Sequence, residues 1–516
     1  MGGVKGVVLD ASILLGVPVG GGHSGSPTSL LPGAEYLLRG LRHSKVPAGI
    51  SYEEGLSTAE VNLLQDKVKL YSFDSFFLRS GKAADLVHEV SMAWGDKEGS
   101  FMYIVSDYKK DPFLGLDSTK WITVILRHPG QESKDDIIFA STSKIPRTIF
   151  INKVEEVPFI ICLFNKKSMG KDVLIVGYLM KPSRGEDFAK RGAFPWNPTQ
   201  NGLIFVPITY ELPISSQVEN IDGLLLKATD EIVSAEMNSS SEFTNRILFT
   251  KGMQELLRWT EQINCPVIDP CSNIYSILDR LKIQQLLLGL ENLNSEGQSK
   301  IRGPHFLKLS CFGESQLEKR LVEAKLSLPT IVKPQVACGV ADAHHMAIVF
   351  KVDDFKDLNI PLPVVVQEYV DHSSTLYKFY VVGKKVFYAI KKSTPNADTL
   401  MKLSEGNELK PLLFDSLQSL PMDKENTQSG DTESKSCGTN KVINLQLVTD
   451  AANWLRSTLD LTILGFDVVI QDGTGDHIIV DVNYLPSFKE VPDDIAMPAF
   501  WEAIRDKLDQ AKTMAT

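Results

Sequence analysis

The sequence predicts an α/β domain built on a parallel sheet, followed by a longer α+β region. Three observations carry this reading. Short apolar strands alternate with helical segments between Val4 and Ser106, the pattern of parallel strands joined by helical crossovers. Beyond Asp172 a fresh series of strands begins, several of them joined by short loops. The last of these, Leu464–Phe488 (LGFDVVIQDGTGDHIIVDVNYLPSF), sets two β-branched runs about a turn-rich QDGTGD, the mark of a hairpin.

The first strand, Val4–Leu9, ends in Asp10. The loop Gly16–Ser29 carries Gly20, Gly22 and Gly25 at G-x-G-x-x-G spacing, but no strand feeds it and no helix opens from it, so it reads as linker. Helices are expected over Gly33–His43, Thr58–Val68 and Lys82–Trp94. Strands are expected to end at Ser51, to span Lys69–Phe73 and to run from Phe101 to Ser106. A parallel sheet binds ligands at the carboxyl ends of its strands, and polar residues follow there in order: Asp10, Ser51, Lys82, Asp107 and Asp111. Four short apolar runs between Trp121 and Phe164, among them Trp121–Leu126 and Phe159–Phe164, complete this domain or form a connector, and the polar stretch NKKSMGKD, Asn165–Asp172, marks a boundary.

The second region opens with a strand at Val173, then LIFVPIT, then IDGLLLKATDEIV, which places Lys227 just after an apolar strand. Ile247–Ile263 has helical period. The segment NIYSILDRLKIQQLLLGL reads as one long amphipathic helix with Arg280 a turn before Gln284, a position where an arginine ordinarily faces water. LPTIVKPQVACGVADAHHMAIVF puts Lys333 at a strand end before a glycine loop, a point charge beside backbone N–H donors that suits phosphate. PVVVQEYVDHSSTLYKFYVVG reads as two strands joined by Asp371–Ser374. Its Gln367–Val370 is a candidate hinge for an adenine edge, and Lys378 alternates inward with Tyr380. Lys391, Lys392 and Ser393 close the strand VFYAIKKS. Met422–Lys441 is polar and expected to be disordered. Leu445–Leu459 is an amphipathic helix, and Ala499–Ala511 a closing one.

In the hairpin, symmetry about Thr474 sets Asp467 across from Asp481, with Cβ atoms about 5 Å apart. Alternation then puts Asp481 and Asn483 on one face. Two like charges that close repel, and burying them unpaired is costly. A divalent cation relieves both problems, and oxygen ligands favour Mg²⁺ over zinc. An exposed hairpin with its acids in water is the plain alternative.

Composition narrows the rest. A chain of 516 residues is expected to hold about three compact domains, or two with one large. A net charge of −10 leaves no domain-wide basic excess, which argues against general nucleic-acid binding. The six cysteines show no C-x-x-C spacing, so neither a zinc site nor a disulfide framework is expected. No run reaches the ~18 apolar residues of a membrane helix, no signal peptide opens the chain, and Gly6 stands where a myristoylation signal wants Ser or Thr. The expectation is a soluble monomer of the cytoplasm or nucleus, without membrane or nucleic-acid partners.

The stretches LLPGAEYLLRGLRHSKVPAGIS and GKAADLVHEVSMAWGDKEGSFMYIVSD resemble haloacid-dehalogenase-type phosphatase segments. The resemblance implies a Rossmann-like, haloacid-dehalogenase-like domain over 1–165, with Asp10 as nucleophile, Ser51 and Lys82 on phosphate, and Asp107 with Asp111 on Mg²⁺. It departs at Ser12, where the phosphatases carry a second Asp as general acid; a hydroxyl cannot protonate a leaving alkoxide as a carboxylic acid can. The domain therefore reads as degenerate, with an active phosphatase as the alternative.

Residues 171–516 resemble the inositol trisphosphate/tetrakisphosphate kinases, an ATP-grasp family. The matching pieces, in order, are VGYLM, LLLKATDEI, VIDP with ILDR, VKPQVACG with HHMAIVF, VVVQEYVDHSSTLYKFYVVG and the terminal hairpin. The resemblance implies an N-terminal subdomain to about residue 270 and central and C-terminal subdomains beyond it. It implies ATP contacts at Arg280, Lys333, Gln367, Glu368, Tyr369, Val370, Lys378 and Ser393. It implies Mg²⁺, as two ions, on Asp467, Asp481 and Asn483. It implies inositol phosphate contacts at Arg184, Lys227, His344, Lys378, Lys391, Asn483 and Ser487, with Asp467, Asp481, Asn483 and Lys378 at the chemistry.

Four positions depart from the family pattern. Arg184 replaces a lysine, Cys338 sits in the VA-x-G loop, Asp342 follows in that loop, and Ser487 replaces a glycine. All four border the substrate side, so the nucleotide half reads as intact. The implied activity is ATP-dependent phosphorylation of an inositol tris- or tetrakisphosphate in phytate metabolism. Two alternatives stand beside it: an ATP-grasp carboxylate–amine ligase, and a weakly catalytic inositol phosphate binding or isomerase-type protein.

Overall fold

The computed structural model describes residues 2–15, 29–95, 98–113, 116, 119–128, 147–170, 172–236, 246–296, 299–405, 410–417 and 443–515. The glycine-spaced linker and the polar stretch 422–441 lie outside these residues. In chain order the strands of the first half are β1 (Val4–Asp10), β2 (Ala48–Glu53), β3 (Asp74–Leu78), β4 (Ser100–Ser106), β5 (Trp121–Leu126), β6 (Thr148–Ile151), β7 (Leu174–Leu179), β8 (Leu203–Pro207) and β9 (Gly223–Leu226). There follow β10 (Ile232–Glu236), β11 (Arg246–Phe249), β12 (Val267–Ile268), β13 (Ile301–Arg302), β14 (Phe306–Leu309), β15 (Thr330–Pro334), β16 (His345–Val349) and β17 (Val364–Glu368). The last are β18 (Thr375–Val382), β19 (Lys385–Lys392), β20 (Leu412–Asp415), β21 (Ile463–Ile470) and β22 (His477–Tyr484).

The chain divides into two units, one of residues 1–226, 254–268 and 508–516, the other of 227–253 and 269–507. The first unit holds a parallel six-stranded sheet in the order β3-β2-β1-β4-β5-β6. Three helices serve its crossovers: α1 (Ala34–His43), α2 (Thr58–Tyr71) and α3 (Ala83–Trp94). Val8, Phe76, Leu86, Trp94, Tyr103 and Phe113 share one buried cluster on it.

The expected strand Lys69–Phe73 is instead the last turn of α2. A Ser57–Glu60 capping box starts that helix, and Ser72 in the left-handed region ends it, which moves the strand to Asp74–Leu78. The apolar run Phe159–Phe164 is helical, inside α4 (Val157–Met169). An apolar run this short has no period to tell a strand from a helix buried on most sides. Phe159, Ile160, Ile161 and Phe164 are all buried, each contributing about 1.5–3 kcal/mol. The Asn165 amide donates to the carbonyl of Trp196 at 2.7 Å, and Cys162 Sγ to that of Phe205 at 3.7 Å. In this way α4 joins the first sheet to a second parallel one, β12-β9-β7-β8. After β7 comes α5 (Pro182–Lys190), and before β9 a single turn, α6 (Ile214–Val218).

The second unit contains two five-stranded sheets and a β10–β11 hairpin. One sheet runs β14-β17-β15-β16-β20, all antiparallel. The other runs β13-β22-β21-β18-β19, antiparallel apart from β13 with β22. The adjacent strands β17 and β18 therefore enter different sheets, and Asp371–Ser374 is a crossover between them. The helical expectation for Ile247–Ile263 fails at its start, since Arg246–Phe249 pairs with β10 and α7 (Lys251–Gln262) begins after Thr250. The long helix around Arg280 is two: α8 (Cys271–Leu278) and α9 (Arg280–Leu287). Asp279 takes an extended conformation between them and caps α9, accepting from Leu281 N at 2.9 Å and Lys282 N at 3.4 Å. Further along are α10 (Leu317–Glu323), α11 (Ala397–Glu405) and α12 (Leu445–Leu459). The closing helix, α13, runs Asp493–Ala515, longer than Ala499–Ala511 because Pro498 is accommodated inside it. Among the described residues no helix is long and apolar enough to cross a membrane, and Cys162, Cys265, Cys271, Cys311 and Cys338 are free thiols.

Candidate active site

The site is built on a row of residues that crosses three strands. Lys378 on β18 pairs in register with Asp467 on β21, and Asp467 with Asp481 on β22. The symmetric pairing about Thr474 holds at the base of the hairpin. One residue nearer the tip Val468 pairs with Ile479, leaving Val480 as a bulge. Gly473 and Gly475, both at positive φ, make the turn. Two residues after Asp481 on the same face, the Asn483 amide donates to Asp481 Oδ2 at 3.2 Å. Gly465, opposite Asn483, leaves room for Pro486, whose Cγ would stand 3.0 Å from an added Cβ.

Enclosure governs the electrostatics here. Burial pushes the Asp467 carboxyl up to about 7, with Asp481 adding to the effect and the ammonium groups of Lys378 and Lys333 opposing it. Among the described residues its buried Oδ1 has no hydrogen-bond partner. From β15, Lys333 reaches to the carbonyl of the bulged Val480, 3.4 Å from Nζ. Burial pulls its amine down to about 8, against the pull of Asp481 and Asp467. Lys333, Arg280, Gln284, Gln367 and Asp481 line one recess. Gln367 Nε2 and Gln284 Oε1 are buried there without partners among the described residues. Among those residues no three His, Cys, Asp or Glu side chains stand together as a metal cluster, so the predicted set of two acids and one amide is the oxygen-rich group this hairpin offers. Its orphaned carboxylate oxygen and its paired acids fit a divalent cation.

The other predicted residues are spread more widely. Lys227 donates to the Tyr484 carbonyl and lies 4.7 Å over that residue's ring. His344 Nδ1 is 3.3 Å from Ser416 Oγ, and burial together with the Arg280 charge lowers its pKa. Lys391 Nζ is ion-paired with Glu490 at 2.5 Å. Ser393 donates its N–H to the Ser374 carbonyl at 2.8 Å. Ser487 follows β22 between Leu485 and Phe488, both at positive φ. Arg184 lies on α5, in the first unit.

Beyond Gln367, the polar side chains of the hinge are already committed. Glu368 takes a bidentate pair from Arg302, Nη1 at 2.8 Å and Nη2 at 3.0 Å, and accepts from His305 N at 2.9 Å. Tyr369 OH donates to the Pro395 carbonyl, and His372 Nδ1 to the Val370 carbonyl at 2.6 Å. Arg302 also donates to Gln471 at the hairpin tip, 3.1 Å away. Beside it Asp472 accepts from Asn396 Nδ2 at 2.7 Å and from Ser373 Oγ at 2.9 Å, which ties the hinge crossover to the hairpin. None of Arg302, His305, Asn396 or Asp472 was singled out from sequence. Asp279 alone carried a signal, an acid before a helical run.

In the first unit Asp10 is fully buried at the end of β1. It accepts from Ser12 N at 2.9 Å, Ser51 Oγ at 3.2 Å and Tyr103 OH at 2.8 Å. Its cation is Lys109, 3.4 Å away, which also pairs with Glu53 at 3.0 Å. Lys82, expected on phosphate, is the N-terminal cap residue of α3, and Asp107 pairs with Lys110 at 2.6 Å.

A family model described as "ITPK4, N-terminal HAD-like domain" matches residues 1–167, and one described as "Inositol 1,3,4-trisphosphate 5/6-kinase ATP-grasp domain" matches residues 295–501. "Inositol-tetrakisphosphate 1-kinase 6" of Oryza sativa subsp. indica is 45% identical over 98% of this chain and 90% of its own length. "Inositol-tetrakisphosphate 1-kinase" of Danio rerio is 28% identical over 57% of this chain and 69% of its own. A D-alanine–D-alanine ligase from Bacillus anthracis aligns at 14% identity and a TM-score of 0.37, a likeness too slight to argue from. With nearly half its residues shared along almost its whole length, the chain belongs to the inositol-tetrakisphosphate 1-kinase family.

Proposed function

We propose that the chain transfers the terminal phosphoryl group of ATP, with Mg²⁺, to a hydroxyl of an inositol tris- or tetrakisphosphate. The observation that carries this is the Lys378–Asp467–Asp481 row beside Lys333 in a recess that also holds Gln367. Phosphoryl transfer needs positioning and charge neutralisation more than covalent help. Asp467, Asp481 and Asn483 would hold the metal, which neutralises the charge of the outer phosphates when bound. Lys333 brings a positive charge to the nucleotide side of the recess, and Gln367 an amide with an unspent donor. Lys378, one strand from Asp467, suits the interface between nucleotide and acceptor. On the acceptor side Lys227, His344 and Asn483 are the candidate groups. Lys391 joins them only by leaving its pair with Glu490. No nucleophilic side chain is required. For the first unit we propose a non-catalytic role, because Ser12 stands where a carboxylic acid would have to protonate the leaving group, and its hydroxyl cannot do so.

The test is transfer of radiolabel from ATP to a panel of inositol tris- and tetrakisphosphates, with Asp481→Asn as control. Label on an inositol phosphate, lost in the control, supports the reading. Binding of the panel without transfer favours an inositol phosphate sensor instead. Amide formation between a carboxylate and an amine would indicate an ATP-grasp ligase.

A further inference from the structure

An acid that the sequence did not single out stands on the same face of the sheet as the Lys378–Asp467–Asp481 row. In the β18–β19 pairing Lys391 lies opposite Leu376, Ala389 opposite Lys378 and Phe387 opposite Tyr380. Alternation puts Leu376, Lys378 and Tyr380 on one face, and their partners across the ladder project to the same side. Glu490 reaches that face from the loop after β22. Its Oε1 lies 2.5 Å from Lys391 Nζ, and its Oε2 accepts from Tyr380 OH at 2.5 Å. The carboxylate is thus fixed at both oxygens, and its two partners flank the level of Lys378 along the ladder. The loop that carries it is anchored as well. Phe488 is fully buried with its ring 6.0 Å from that of Phe500, and Val491 N–H donates to the Phe488 carbonyl at 3.2 Å. Burial raises the Glu490 carboxyl, but the bonds from Lys391 and Tyr380 outweigh it and bring it down to about 2, so the group is an anion near neutral pH. With 28% of its side chain exposed, and 44% of that of Lys391, the pair borders solvent.

We propose that Glu490 determines specificity on the acceptor side: its carboxylate accepts a hydrogen bond from a ring hydroxyl and turns away a phosphate at the same ring position. This rests on the kinase reading above and narrows the acceptor class to inositol phosphates with a free hydroxyl facing Lys391. A lysine beside the Lys378 row would by itself draw in a phosphate. Paired with Glu490 it brings no net charge, and a phosphate entering there meets an anion at close range. A placed repulsive charge separates ligands that share most of their other contacts. An ion pair that merely braced the loop against β19 would make no difference between acceptors.

The experiment is calorimetric binding to the full chain, without nucleotide, of inositol 1,3,4-trisphosphate and of the tetrakisphosphates that add one phosphate to it. In Glu490→Gln at least one tetrakisphosphate is expected to bind about tenfold tighter, with the trisphosphate changed less than about twofold. The gain should shrink at high salt, because the pair is partly exposed, and should vanish when Lys391→Met is added. Equal tightening of every acceptor, or of none, overturns the proposal and leaves the pair a brace. Should Glu490→Gln fail to fold, Tyr380→Phe releases one carboxylate oxygen and keeps the ring. Binding of a tetrakisphosphate alone about threefold tighter then supports the proposal, and unchanged binding overturns it. Transfer of label to the trisphosphate with no shift in selectivity removes this role for Glu490 and leaves the kinase reading standing. Selective tightening in a chain that transfers no label from ATP removes the kinase reading and keeps the role.

Discussion

Replacing Asp467 by Asn separates what this carboxylate does for the fold from what it does for the chemistry. Burial holds its carboxyl at about 7, against an ordinary value of 3.8. A folded value above the unfolded one means that stability is full below about pH 4 and is lost as pH rises to about 7. The difference corresponds to roughly 4 kcal/mol once the group is ionised. Because Asp481 shares the repulsion, about 2 kcal/mol is the share expected from relieving Asp467 alone. Asparagine keeps the shape and removes the charge. The metal-free, nucleotide-free variant should therefore melt roughly 3–6 °C higher than the parent near pH 8. That gain should shrink steadily as the pH falls below 7. Phosphoryl transfer should fall at the same time by roughly 100-fold. The assay is thermal unfolding with chelator present, scanned over pH. A variant that melts lower than the parent near pH 8 would refute the reasoning, since the carboxylate would then be a net stabiliser through Lys378 with no need of a cation.

Other perturbations follow from the same accounting of buried charge. Lys109→Met keeps the stem but strips the cation from Asp10 and Glu53. Removing one partner of a buried pair costs about 3–5 kcal/mol, and with the lysine 17% exposed the low end is expected, with Asp10→Asn in the same chain recovering most of it in urea unfolding. Arg302→Ala removes the bidentate bond to Glu368 and should cost about 1.5–3 kcal/mol and raise KM for ATP several-fold; an unchanged KM would show that the hinge is set without it. The first unit should hydrolyse no phosphomonoester, and Mg²⁺-dependent hydrolysis abolished by Asp10→Asn would reverse that reading.

Legibility in the sequence followed the range of the forces involved. The pairing of Asp467 with Asp481 was readable because a hairpin register depends on one turn and the alternation of a dozen neighbouring residues. The bulge at Val480 was not, since its consequence, the carbonyl offered to Lys333, depends on a strand about 150 residues away. Period could not distinguish the buried helix α4 from a strand, because a helix covered on most sides loses its polar stripe. The break at Asp279 was written locally as a cap but was masked by apolar residues whose spacing continues through it. Arg280 shows the limit most clearly. Its place beside the nucleotide recess follows from the family resemblance, whereas its four carbonyl partners belong to a loop that only the tertiary fold brings near. Lys109 was missed for the same reason, since its bond to Asp10 joins the ends of two strands far apart in the chain.

The claim on which the rest depends is that the terminal hairpin grips a divalent cation between Asp467, Asp481 and Asn483. The most direct measurement is the anomalous density of crystals grown with Mn²⁺ and a non-hydrolysable ATP analogue. The account predicts metal peaks at about 2.1 Å from carboxylate oxygens of both acids, with the amide oxygen of Asn483 on at least one of them and the triphosphate alongside. A bound triphosphate with no metal near either acid, or with the metal held elsewhere in the chain, would contradict it.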